Sequence, residues 1–145
     1  MAKGKTDWVE HARDVLRDSG HRAGGARGSV VELLSRQDCC LTAQQIHDRL
    51  HRRGRPIGIA SVYRILDLLV AHGLVTRLDV GSGVAHYEPS QAGGEHHHHL
   101  VCEDCGKVEA FADEGLERAI RAVQARAGAT AHDVVLRGAC QTCRS

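Results

Sequence analysis

The sequence predicts an α+β chain in two parts, and three observations predict it. Three to four short helices fill the first half and are followed by a glycine-centred hairpin. The stretch Pro89-Ser-Gln-Ala-Gly-Gly94 then has the composition of a linker. Beyond it, short strands and one helix accompany two CxxC steps, Cys102-Glu-Asp-Cys105 and Cys140-Gln-Thr-Cys143. Helices closed by a hairpin are the order of a winged helix-turn-helix, expected over 1–88, with a hinge linker at 89–94. Residues 95–145 are expected to form a small α/β domain built on a structural zinc site.

Each element has its own signal. Trp8, Ala12, Val15 and Leu16 recur at helical spacing, so a first helix is expected over 7–19, with Gly20 as its stop. Gly24-Gly25 breaks the chain before a second helix marked by Val30, Val31, Leu33 and Leu34. Thr42 is a good N-cap for a third, with Gln45 three residues on as in a capping box, and Ala43, Ile46 and Leu50 on one face. After a turn at Gly54-Arg55-Pro56, a fourth stripe runs through Ile59, Val62, Leu66, Leu69 and Val70 and ends near Gly73. The period then changes: 74–78 and 84–88 read as strands around Gly81-Ser82-Gly83. In the second part, 98–102 and 107–111 read as strands and 131–136 as a third. Residues 114–127 read as a helix through Leu116, Ala119, Ile120 and Val123.

Composition narrows the function. Apolar residues make up 42% of 145, but one Phe, one Trp and two Tyr leave an aliphatic core. Two halves this small need metal or dimerisation to hold them. No run approaches a membrane span, and no apolar N-terminal signal is present, so a cytoplasmic chain with no membrane partner is expected. In that compartment CxxC pairs are more often metal ligands or redox motifs than disulfides. The adjacent Cys39 and Cys40 could bridge each other only with strain. The net charge of +1 hides an asymmetry: thirteen Lys/Arg against eight Asp/Glu over 1–77, six against ten over 78–145. A basic first half suits a polyanion.

The fourth helix carries Ser61, Tyr63 and Arg64 opposite its apolar stripe, near the end that meets base edges in helix-turn-helix proteins. Arg64 suits guanine or phosphate, and Tyr63 a thymine methyl or phosphate. Arg22 and Arg27 before the second helix, and the cluster Arg52-Arg53-Gly54-Arg55, are candidate backbone clamps. Double-stranded DNA is the expected partner.

Four thiolates in two CxxC steps, thirty-four residues apart, can close a tetrahedron around Zn²⁺ with no open position. They leave the run His96-His97-His98-His99 unexplained. Alternate side chains of a strand share a face, so His97 and His99 point one way, and His96 and His98 the other. Two further metal sites follow, completed by ligands from among Glu88, Cys40, Glu117 and His132. His11, His21, His47, His51 and His72 read as ordinary surface residues.

The segments Gly58-Ile-Ala-Ser-Val-Tyr-Arg-Ile-Leu66, His96-His-His-His-Leu-Val-Cys-Glu-Asp-Cys-Gly-Lys-Val108 and Cys140-Gln-Thr-Cys143 closely resemble the ferric uptake regulator (Fur) family. The resemblance spans roughly residues 8–144. It implies a bacterial, homodimeric, metal-dependent DNA-binding repressor with an N-terminal winged helix and a C-terminal dimerisation domain. It implies structural zinc at Cys102, Cys105, Cys140 and Cys143. A regulatory ion at Glu88, His97 and His99 follows, with Cys40 standing where the family usually has a histidine. A further ion falls to His96, His98, Glu117 and His132. The four-histidine run resembles the zinc uptake branch (Zur), whereas Glu88 resembles the iron branch, so the regulatory ion is expected to be Zn²⁺ or Fe²⁺. Imidazole and thiolate favour zinc. Ala23-Gly24-Gly25-Ala26 departs from the family, which usually has a threonine there, and Thr76 replaces an acidic residue of many zinc-type members.

Two other classes compete with a metal-responsive repressor. A zinc enzyme would need an open metal position and a substrate pocket, and no nucleophile motif is present, so no enzymatic activity is expected. A peroxide or redox sensor of the same family would act through Cys39/Cys40 or through oxidation of a ligand.

Overall fold

The computed structural model describes residues 3–90 and 97–145. The chain divides into two units, Met1–Gly94 and Glu95–Ser145.

In the first unit, α1 (Lys3–Asp18) places Trp8, Ala12 and Leu16 four residues apart on one face, and all three are buried. The Trp8 indole needs a partner for its N–H, and it donates to the Leu74 carbonyl at 3.2 Å. The next helix, α2 (Gly25–Ser35), buries Val30, Val31, Leu33 and Leu34, on more than one face, as a central helix must. A short strand β1 (Leu41–Thr42) leads into α3 (Ala43–Arg52). At that junction Gln45 N donates to Thr42 Oγ1 at 3.1 Å and Thr42 N donates to Gln45 Oε1 at 3.0 Å, a reciprocal capping box. The fourth helix, α4 (Ile59–Ala71), buries Val62, Ile65, Leu66 and Leu69 against the same core and ends just before Gly73, whose φ of 69° suits a residue without a Cβ.

Strands β2 (Val75–Asp79) and β3 (Ala85–Pro89) form the hairpin. With β1 they make an antiparallel sheet in the order β1-β3-β2. β1 leaves no mark in the sequence, because two residues carry no period; its pairing of Leu41 with Tyr87 exists only once β3 is present. β3 also runs to Pro89, paired with Val75, and Ser90 N donates to Leu74 O at 2.9 Å. The strand thus takes in the first residue of the expected linker; the segment 91–94 lies outside the described residues.

The second unit is a three-stranded sheet in the order β5-β4-β6. Its central strand, β4 (His98–Cys102), pairs antiparallel with β5 (Val108–Phe111) and parallel with β6 (Val135–Gly138). Between them, α5 (Glu114–Ala127) starts at Asp113, whose side chain accepts from Leu116 N at 2.7 Å, and stops at Gly128 with φ 71°. A final turn, α6 (Gln141–Arg144), was not expected. The third strand, expected at 131–136, lies at 135–138, because its register on β4 sets Val135 opposite His99 and Gly138 opposite Cys102, delivering the second CxxC beside the first. Buried groups here are His98, His99, Val101, Cys102 and Cys140, and α5 buries no residue at all. Its apolar core is too thin to hold this unit by burial alone. Among the described residues, no helix is long and apolar enough to cross a membrane.

Candidate metal centre and nucleic-acid interface

Cys102 closes β4, and Cys105 lies in the turn after it. That turn is tight: Cys102 N donates to Lys107 O at 2.8 Å and Gly106 N to Cys102 O at 2.9 Å. Cys140 is the N-cap of α6 and Cys143 lies within it, so the second pair is wound into one helical turn. The four sulfur atoms all lie within 4.8 Å of one another. A tetrahedral zinc with bonds of about 2.3 Å to sulfur sets its sulfurs about 3.8 Å apart, and Cys105 and Cys140 are separated by 3.8 Å. Backbone N–H donors, led by Cys140 N at 3.2 Å from the Cys102 sulfur, bring the Cys102 thiol down to about 6. The neighbouring sulfurs, Cys140 foremost, push Cys143 up to about 12. Without a cation, then, one thiolate is favoured and the crowd resists further ionisation. A divalent ion removes that conflict, and the donor set fits zinc.

Strand alternation separates the histidines of β4. His98 is buried, with Nε2 at 2.5 Å from Glu117 Oε1 and its ring 5.3 Å from that of His132. His132 Nε2 lies 3.3 Å from Glu117 Oε2. These three residues, from β4, α5 and the segment before β6, form one nitrogen-and-oxygen cluster with ligand atoms within 4.8 Å. The imidazoles of His97 and His99 meet edge to face at 5.1 Å. They form a separate pair, and His96, expected in the His98 cluster, lies outside the described residues.

In the first unit, Glu88 is half-buried near the end of β3. Cys39, the neighbour of the expected ligand Cys40 and left open beside it by the sequence, offers a sulfur within 4.8 Å of a Glu88 carboxylate oxygen. Cys40, the expected ligand, is only 5% exposed, and contact with the Cys39 thiol and burial both hold its thiol protonated. The two thiols differ in burial, Cys39 being half-buried and Cys40 buried in the bend before β1.

On α4, Val62 faces the core while Tyr63 and Arg64 are exposed, and Arg64 donates to Ser61 Oγ at 2.9 Å. Ser61, Tyr63 and Arg64 therefore sit together on the first two turns. Exposed Arg22 and half-exposed Arg27 flank the start of α2, with Arg27 donating to the Arg22 carbonyl at 3.4 Å. Arg52 and Arg53 are exposed at the end of α3. Arg55 instead turns to α2, donating to Ser29 Oγ at 3.2 Å and lying 3.6 Å from Glu32. It is thereby partly neutralised as a clamp.

Residues 18–138 match the model of the "Ferric uptake regulator family". The ferric uptake regulation protein of Legionella pneumophila is 37% identical over 132 residues, covering 89% of this chain and 96% of its own. Among solved structures, the ferric uptake regulator of Vibrio cholerae superposes with a TM-score of 0.76 at 33% identity, covering 88% of this chain and 98% of its own. The regulator of Helicobacter pylori, described as having three functional metal binding sites, superposes with a TM-score of 0.80 at 27% identity, covering 97% and 94%. The winged helix with its Tyr63-Arg64 helix, the four-cysteine cluster and these likenesses agree: the chain belongs to the ferric uptake regulator family, whose members are metal-responsive transcriptional regulators and not enzymes.

Proposed function

We propose that this chain is a homodimeric, cytoplasmic repressor of metal-homeostasis genes that binds operator DNA when a regulatory Zn²⁺ is bound. The observation that carries the reading is the donor set. The first unit offers a thiol and a carboxylate, Cys39 and Glu88, and the second offers the imidazole pair His97 and His99. One ion shared by these residues would fix the two recognition helices of a dimer at a spacing that fits successive half-sites, about one helical turn or a multiple apart. Without it, ordering the two units falls on DNA binding and weakens it. Cys102, Cys105, Cys140 and Cys143 hold structural zinc in this reading. His98, Glu117 and His132 take a further ion, with His96 as the remaining ligand. Ser61, Tyr63 and Arg64 meet base edges, while Arg22 and Arg27 hold phosphates.

Support for the homodimer comes from α5, which buries nothing yet carries Leu116, Ile120 and Val123, with Val123 52% exposed and Leu136 on β6 49% exposed. A second copy would cover them. Zinc is favoured over iron because a thiol among the ligands suits the softer ion. Iron is the second reading, favoured by relatives named for ferric uptake. The test is a duplex selected from a random library and assayed with protein kept zinc-loaded at the cysteines, adding Zn²⁺, Fe²⁺ or Mn²⁺. Restoration of tight binding by Zn²⁺ at the lowest free concentration supports the zinc reading. Restoration by Fe²⁺ alone replaces it with iron.

A further inference from the structure

The pair Cys39-Cys40 does not belong to the four-cysteine cluster, and at most one of its thiols enters the regulatory donor set. Its two sulfurs lie 3.8 Å apart, in contact, on the loop that leads into β1. Cys39 is half-buried and Cys40 is buried. No disulfide joins them.

We infer that Cys39 and Cys40 form a two-thiol binding site for trivalent arsenic, lying wholly within the winged-helix unit. Three features lead there. A direct disulfide between neighbours is strained, because their Cα atoms sit about 3.8 Å apart across a trans peptide, short of the roughly 4.4–6.8 Å that disulfides span. One bridging atom lengthens the link and relieves that strain. Second, the sulfurs already touch, so once the more accessible Cys39 has reacted, the second bond closes within the molecule at high effective concentration. Third, Cys39 is half-buried and Cys40 buried, so a reagent that reaches the outer thiol is held against the inner one.

The chemistry balances without an oxidant. With phenylarsine oxide, two S–H bonds and the As–O bond break and two As–S bonds form. The two protons leave with the oxygen as one water, and arsenic stays trivalent. The adduct would use up the thiol that the regulatory ion needs, but the site itself does not depend on the regulatory reading.

The experiment treats full-length protein, zinc-loaded at the four-cysteine cluster, with phenylarsine oxide. Excess monothiol is then added, and intact mass, zinc content and peptide mapping are read. The expected result is one arsenical per chain, bound through residues 39 and 40, with zinc retained. Cys39→Ser and Cys40→Ser should each hold none, since a single As–S bond exchanges with the monothiol. Cys39→Ser changes a half-buried side chain and decides the matter alone if Cys40→Ser does not fold, as judged by Trp8 fluorescence. The inference is overturned if wild type keeps no arsenical, if a folded single variant keeps it, or if mapping places it on Cys102, Cys105, Cys140 or Cys143.

Discussion

Removing zinc should unfold the second unit and leave the first intact. The perturbation is a strong chelator on wild type, or Cys140→Ser. Of the described buried residues in the second unit, Val101 is the one aliphatic side chain. Burying a valine contributes about 1.5–3 kcal/mol, whereas ordering the backbone costs about 1–2 kcal/mol for every residue. A closed zinc site supplies on the order of 10 kcal/mol in small metal domains, comparable to the roughly 5–15 kcal/mol that holds a whole domain together. Loss of the ion therefore removes most of what orders β4, β5 and β6. The first unit keeps its own core, from Trp8 and Leu16 through Leu34, Ile46 and Leu66 to Tyr87. Trp8 is the single tryptophan and reports on that core alone. Amide exchange by mass spectrometry, read together with Trp8 fluorescence, separates the two. Protection should vanish across 98–138 while the Trp8 signal stays native. Persistent protection of β4 and β6 in protein shown to contain no zinc would refute the reasoning, as would loss of the Trp8 signal at the same chelator concentration.

Three smaller perturbations follow. Arg64→Ala and Tyr63→Ala should each weaken operator binding by about 1–3 kcal/mol, roughly five- to 150-fold, with zinc content unchanged; equal weakening on random duplex would make them phosphate contacts instead. Thr42→Ala removes half of the capping box and should cost about 1 kcal/mol in chemical denaturation of the first unit, a reading that an unchanged midpoint contradicts. His132→Ala opens the cluster with His98 and Glu117 and should lower zinc stoichiometry at high free zinc while keeping metal-dependent DNA binding; a full loss of that binding would show the two sites to be one.

Much of this molecule was legible because its signals are local. The capping box needs only Thr42 and Gln45, and it is present with both hydrogen bonds. Face alternation in β4 needs only strand geometry, and it places His98 with Glu117 while His97 meets His99. What stayed hidden depends on distant chain. β1 is a strand only because Tyr87 and His86 lie opposite Leu41 and Thr42. The shift of β6 to Val135–Gly138 follows from its register on β4, which no periodicity within 131–138 encodes. The choice between Cys39 and Cys40 turned on which thiol the core takes, and the core took Cys40. Arg55 read as an exposed cation until Ser29 and Glu32, on another helix, came within its reach.

In the proposed switch, one ion held by Glu88, His97, His99 and a thiol of the Cys39-Cys40 pair controls DNA binding. The most direct test measures the affinity of one selected operator duplex against buffered free Zn²⁺ for wild type, His97→Ala and His99→Ala. All three should carry the same structural zinc and the same oligomeric state. Wild type should tighten on the duplex as free Zn²⁺ rises, while both variants stay at the metal-free affinity. Variants that respond to zinc like wild type would contradict it.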